Sequence, residues 1–82
     1  MVNVEKVEYS HDYKLKTKLS NGVEGLFDVS PYLDKGIFAE LKDVDYLKKV
    51  KAAFGGICWP NGQDFCVDTL EVDLEEIGRD QQ

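Results

Sequence analysis

Hydrophobic and polar residues alternate along two neighbouring stretches of the chain, residues 13–19 and 23–29. This period-two pattern is typical of β-strands that bury one face and expose the other. The residues expected on the buried face are Tyr13, Leu15, Thr17, Leu19, Val23, Phe27 and Val29. The two stretches predict an antiparallel β-hairpin, and the rest of the fold is predicted around it.

The turn of this hairpin decides which residues face each other. A two-residue loop, Asn21-Gly22, would pair the apolar Leu15 with Asp28, and this mismatch argues against it. A three-residue loop, with Gly22 in the left-handed position of a bulge, pairs Leu15 with Phe27 instead. Its other pairs are Leu19 with Val23, Tyr13 with Val29, Lys18 with Glu24 and Lys14 with Asp28. The three-residue loop is therefore the prediction.

Leu26 is an exception in this register, because it is an apolar residue on the otherwise polar face, opposite Lys16. It indicates that a partner covers this face or the sheet edge formed by residues 2–9.

The residues before the hairpin predict a third strand over residues 2–9. The apolar positions change parity between Val4 and Val7, so we expect a bulge near residues 5 and 6. Residues 10–12 predict a polar turn into the hairpin. The expected pairs across this turn are Tyr9 with Tyr13, Val7 with Leu15 and Glu8 with Lys14. The result is a three-stranded antiparallel meander, whose free edge favours pairing across a homodimer.

The middle of the chain predicts two short helices that cross one face of the sheet. Ser30 is a candidate cap for a single turn over residues 31–33, after which Gly36 resets the chain. The apolar residues within 37–41 then fall at helical spacing. Asp43 is a candidate cap for a helix over residues 44–50, and lysines near its end suit the negative pole of the helix. Helices this short depend on packing for their stability.

From residue 51 the pattern returns to that of strands. Short strands flank Gly55-Gly56, which is either a turn between them or a bulge within one strand. Residues 60–62 predict a second turn. Residues 68–71, which begin with Asp68, have the capping-box spacing of a C-terminal helix ended by Gly78, but residues 69–77 also alternate as a strand would. The predicted class is α+β: a three-stranded antiparallel meander, two short helices, one or two further short strands and a short C-terminal helix, in one domain over residues 1–82.

The charge of the chain restricts its partners. Sixteen acidic and ten basic residues give a net charge of −6. Nucleic-acid binders need a cationic surface, so direct DNA or RNA binding is not expected, whereas a basic protein partner is. The chain has no apolar run near eighteen residues and no leader sequence, which predicts a cytoplasmic protein without a membrane contact.

The residue types that carry chemistry form no recognisable motif. Cys58 and Cys66 are expected to be reduced and buried, because free cysteine is commonly a core residue. The alternative is a thiol enzyme that uses one of them with His11 and Asp64, but no base is placed beside either thiol by the pattern. The chain is nearly bare of histidine, and no metal or cofactor is predicted.

Trp59 stands at the start of the second turn, Trp59-Pro60-Asn61-Gly62. A tryptophan beside exposed polar groups is typical of an interface anchor, but a domain this small also needs its large side chains in the core. Both interpretations stay open, with the core favoured. The candidate partner-binding residues are Trp59, Pro60, Asn61, Gly62, Asp64 and Leu26.

Three runs of the chain resemble the bacterial family known as domain of unknown function 2442. They are NGVEGLFDVSPYLDKGIFAELKD over residues 21–43, YLKKV over 46–50, and ICWPNGQD over 57–64 followed by DTL at 68–70. The resemblance implies a small α+β module, found alone or ahead of a helix-turn-helix domain and often encoded beside a small toxin-like protein. The resemblance implies no catalytic residues. The chain ends soon after Ile77, so no helix-turn-helix domain is expected.

The function predicted on these grounds is a non-enzymatic protein-interaction module, an antitoxin-like partner of a small basic protein. The alternatives are a small thiol-dependent enzyme that uses Cys58 or Cys66 and a transcription-associated regulator.

Overall fold

Two antiparallel sheets share one hydrophobic core in this computed structural model, which describes residues 1–77. The strands are β1 (Val4–His11), β2 (Lys14–Leu19), β3 (Glu24–Asp28), β4 (Lys51–Ala53), β5 (Gly56–Cys58), β6 (Asp64–Phe65) and β7 (Glu75–Ile77). The helices are two of the 3₁₀ type (Ser30–Tyr32 and Gly36–Lys42), α1 (Val44–Leu47) and α2 (Val67–Asp73). The first sheet has the strand order β1-β2-β3-β7 and the second β4-β5-β6. The predicted α+β class is confirmed.

The β2–β3 hairpin has the predicted register. Leu15 faces Phe27, and the two polar pairs predicted on the outer face also match. The backbone N–H of Leu19 donates to the carbonyl of Val23 at 2.8 Å, as the three-residue loop requires. Gly22 has a φ of +91°, a conformation that favours glycine over other residues. The turn residues and the polarity of the strands were therefore sufficient to place this hairpin.

The predicted register of β1 is wrong by two residues, although its bulge near residues 5 and 6 is confirmed. Tyr9 faces Leu15, not Tyr13. The turn consists of Asp12 and Tyr13, both with positive φ, so β1 runs on to His11. A shift of two residues leaves every side chain on the same face, so alternation of polarity cannot detect it.

The helical middle of the chain follows the prediction in outline. Asp43 caps α1 by accepting a hydrogen bond from the N–H of Asp45 at 3.0 Å. The helix ends at Leu47, earlier than predicted, because the N–H of Val50 bonds to the carbonyl three residues before it. Ser30 is not a cap but lies inside the first 3₁₀ helix, and its N–H donates to the carboxylate of Asp28 at 2.8 Å.

The two open alternatives in the second half are resolved by the structure. Phe54 and Gly55, both with positive φ, form a turn between β4 and β5. The C-terminal segment contains both a helix and a strand. Helix α2 ends before Leu74, whose backbone is extended, and β7 then pairs with β3. The expected capping box at Asp68 is not formed, because the helix begins after Cys66. The predicted stop at Gly78 lies outside the described residues.

Candidate functional site

Trp59 lies in the core, the interpretation that the sequence favoured. Its side chain is 2% exposed, and its indole Nε1–H donates to the carbonyl oxygen of Leu47 at 2.9 Å. Its ring meets the edge of Phe65 with 5.9 Å between the centroids. The indole therefore ties β5 to the end of α1 and offers no exposed ring to a partner.

Gln63, which the sequence analysis did not single out, is the most extensively bonded polar side chain of this region. It is 1% exposed. Its Oε1 accepts from the hydroxyl of Tyr46 at 2.7 Å, and its Nε2 donates to the carbonyl of Ile37 at 2.9 Å and to Oε1 of Glu40 at 3.0 Å. Each of its polar atoms is paired, so its burial carries no unsatisfied group.

Asn61 joins the same network from the surface. Its backbone N–H donates to the Tyr46 hydroxyl at 2.8 Å, and its Nδ2 donates to Oε2 of Glu40 at 2.7 Å. Gly62 has a φ of +101° and donates its N–H to the carbonyl of Trp59, which closes the turn. We call the residues Trp59–Gln63 the clamp turn, because their side chains and backbone hold the second 3₁₀ helix and α1 together.

The six predicted partner-binding residues do not form one surface. Leu26 lies on the outer face of the first sheet, half-buried, whereas the other five belong to the second sheet and its clamp turn. Leu26 also pairs in register with Glu75 of β7, so β7 of the same chain occupies the edge of the strand that carries Leu26. The sheet edge formed by β1 lies on the other side of the sheet. Pro60, Gly62 and Asp64 are exposed. Their contact with a partner stays a prediction.

The expectation that both thiols are buried is wrong for Cys66, which is exposed, while Cys58 is half-buried. The sulfur of Cys66 lies 3.5 Å from Oγ1 of Thr69, and this hydrogen bond lowers the pKa of the thiol. His11 bonds instead to the hydroxyl of Ser10. Among the described residues, no histidine stands beside either cysteine as a thiol nucleophile would need.

Helix α2 presents an exposed surface that was not identified from the sequence. Val72 is 82% exposed, and its exposed helical neighbours are Asp68, Glu71 and Asp73. We call these four residues the α2 surface. On the opposite side of the helix, Leu70 is fully buried. A position two residues from a buried one points away from the core in a helix, so the spacing of Leu70 and Val72 could have revealed this surface.

Besides Met1 at the N-terminus, two further large apolar side chains among the described residues are exposed. Phe54 is fully exposed at the tip of the β4–β5 turn, and Ile37 is largely exposed on the second 3₁₀ helix. Single exposed apolar residues are common on protein surfaces. What distinguishes Val72 is its setting among carboxylates, with a shallow depression lined by Asp68, Thr69 and Asp73 beside it.

Within residues 1–77, no three histidine, cysteine, aspartate or glutamate side chains are placed to hold a metal ion. The described helices are all too short or too polar to cross a membrane.

Comparison with known proteins gives one match. The model of a family described as "Protein of unknown function (DUF2442)" matches residues 4–75. No curated protein and no solved structure matches the chain.

Proposed function

This chain belongs to the DUF2442 family, and from that premise we propose that it is a cytoplasmic, non-enzymatic interaction module that binds a small basic protein as an antitoxin does. The observation that carries the proposal is the α2 surface, where an exposed valine stands among three carboxylates. An apolar contact with a charged rim is the usual anatomy of a protein interface. Lysine and arginine side chains of a partner are the natural complement to this rim.

The charge of the whole chain supports the same type of partner. The net charge of −6 attracts a basic protein over a distance and raises its rate of association at low salt. The resemblance to a family often encoded beside toxin-like proteins supports the antitoxin form of the proposal.

The alternative of a thiol enzyme is less well supported. Cys66 is accessible and its pKa is lowered, but its hydrogen-bonding neighbour is Thr69, a residue that does not act as a base at neutral pH.

The proposal is tested by native pull-down with the full chain as bait and identification of retained proteins by mass spectrometry. We expect the wild-type chain to retain a small basic protein and Glu71→Lys to retain at least about tenfold less of it, since like charges placed opposite each other across an interface cost several kcal/mol and about 1.4 kcal/mol is tenfold in affinity. Glu5→Lys is the matched control, because Glu5 is also exposed and the net charge changes equally. Equal loss in both variants would show attraction by net charge alone and contradict a binding site on α2.

A second pair of variants tests the apolar contact. Val72→Ala should weaken retention, and Ile37→Ala, which shortens another exposed apolar side chain, should not. Circular dichroism of each bait establishes that it is folded. Unchanged retention by folded Val72→Ala and Glu71→Lys would refute the α2 surface as the binding site.

A further inference from the structure

The two cysteines line one depression beside the second sheet. Cys58 of β5 pairs in register with Asp64 of β6, and Ile57 pairs with Phe65. The register ends at the second of these pairs, and Cys66 is the next residue along the chain. Its Cα lies close to Gly56, the residue two positions before Cys58 on β5.

Gly56 brings the backbone of the two strands together at this point. A Cβ atom on Gly56 would clash with the carbonyl oxygen of Phe65 and would lie 3.1 Å from the Cα of Cys66. Because glycine has no side chain, the backbone of residues 65 and 66 can pass directly against Gly56, which brings Cys66 next to β5. Both cysteines line a surface depression of about 90 Å³, and Asp64 lines it with them.

The two thiols differ in exposure and in hydrogen bonding. Cys66 is exposed, and its sulfur lies beside the hydroxyl of Thr69. Cys58 is half-buried and lies within β5. An oxidant from solution therefore reaches Cys66 first, and the lowered pKa of that thiol increases the fraction present as the reactive thiolate.

We propose that Cys66 is a peroxide-reactive thiol and that Cys58 resolves its oxidised form as an intrachain disulfide, which links β5 to the start of α2. The Cys66 thiolate attacks one oxygen of hydrogen peroxide, the O–O bond breaks, and the departing hydroxide takes up a proton to become water. The sulfur of Cys58 then attacks the sulfenic sulfur of Cys66. The S–S bond forms as the S–O bond breaks, and the departing hydroxide takes the Cys58 proton as a second water.

Closure of this disulfide requires the Cα atoms of the two cysteines to stand within about 6.8 Å, so it can involve a movement of the backbone. Cys66 follows the last residue of β6, and β6 has only two residues. The movement therefore falls on the end of a short strand and not on the interior of the first sheet.

The test treats the folded chain with a small excess of hydrogen peroxide, blocks free thiols with N-ethylmaleimide and determines the mass of the monomer. We expect a species with two hydrogen atoms fewer and no maleimide label, and peptide mapping should join Cys58 to Cys66. In Cys58→Ser, the sulfenic acid on Cys66 should persist and be trapped by dimedone.

Cys66→Ser is the control for the order of events. Cys58 should then stay reduced under the same treatment, with a rate of labelling in the folded chain at least about tenfold below that of Cys66 in Cys58→Ser. Disulfides that form only between chains, or equal oxidation of Cys58 in Cys66→Ser, would overturn the proposal. Neither result depends on whether a protein partner binds the α2 surface.

Discussion

The buried amide of Gln63 donates from Nε2 to Oε1 of Glu40 at 3.0 Å, while the other carboxylate oxygen of Glu40 accepts from Asn61 at 2.7 Å. One carboxylate on the second 3₁₀ helix thus bonds both the middle residue and the last residue of the clamp turn. Tyr46 of α1 bonds the same two residues from the other side. The polar residues of this turn therefore have their principal role within the fold.

Replacement of Gln63 by alanine should lower the free energy of unfolding by about 2–4 kcal/mol. The change removes three hydrogen bonds, leaves a cavity and leaves buried groups unpaired. Urea unfolding followed by circular dichroism measures this loss. Asp64→Ala is the control, because the neighbouring Asp64 is exposed and its replacement should change stability by no more than about 0.5 kcal/mol. Similar free energies of unfolding for the two variants would contradict a stabilising role of the Gln63 hydrogen bonds.

Replacement of Trp59 by phenylalanine should lower the free energy of unfolding by about 1–3 kcal/mol, because the indole hydrogen bond to Leu47 is lost and the core is less well filled. Trp59→Ala should cost about 3–5 kcal/mol, a large part of the total stability of so small a domain. Any loss of partner binding in Trp59→Ala would therefore result from unfolding of the chain and not from the loss of a contact with the partner.

Urea titration of both Trp59 variants provides the measurement, and Phe54→Ala is the matched exposed aromatic control, expected within about 0.5 kcal/mol of the wild type. A Trp59→Ala chain as stable as this control would show that the indole is not a core element. Pro60→Ala, at an exposed position, is the better variant for testing whether the clamp turn also meets a partner.

Replacement of Phe54 by asparagine should raise the free energy of unfolding by about 0.5–1 kcal/mol. Phe54 has a φ of +53° at the first position of the β4–β5 turn, where asparagine is favoured and a bulky residue is strained. Its ring is fully exposed, so no packing is lost. The urea midpoint should rise for Phe54→Asn and should not rise for Ala52→Asn, where an exposed strand residue is changed instead. A lower midpoint for Phe54→Asn would mean that the ring contributes contacts to the folded chain.

The rate at which iodoacetamide labels Cys66 should reach half of its maximum at a lower pH in the folded chain than in urea. The hydrogen bond from Thr69 favours the thiolate and lowers the pKa of Cys66. The measurement is made on the Cys58→Ser variant, in which Cys66 is the remaining cysteine. The further change Thr69→Val should move the midpoint back toward that of the unfolded chain, and a midpoint that does not move would exclude Thr69 as the cause.

The sign of the linked effect on stability follows from the same pKa. Because the pKa of Cys66 is lower in the folded chain, its thiolate favours folding above the pKa of the unfolded thiol. That contribution disappears as the pH falls through the folded-state pKa.

The β-hairpin of β2 and β3 was determined by the sequence alone. Its strands alternate at every position except Leu26, its turn contains a glycine that tolerates positive φ, and a shift of one residue would have placed Leu15 opposite a carboxylate. Local chemistry was therefore enough to specify the pairing. The cap of α1 at Asp43 was predictable for the same reason, since the bond spans two residues.

Tertiary structure decided the features that depend on residues far apart in the chain. The register of β1 differs from the predicted one by two residues. The alternation of polar and apolar residues cannot reveal a shift by an even number of residues. The burial of Trp59 and Gln63 depends on carbonyl and carboxylate partners from helices 12 to 26 residues away. Such partners come together only when the sheets and helices share one core, and so the sequence alone indicated the turn at Trp59–Gln63 but not its role as a clamp.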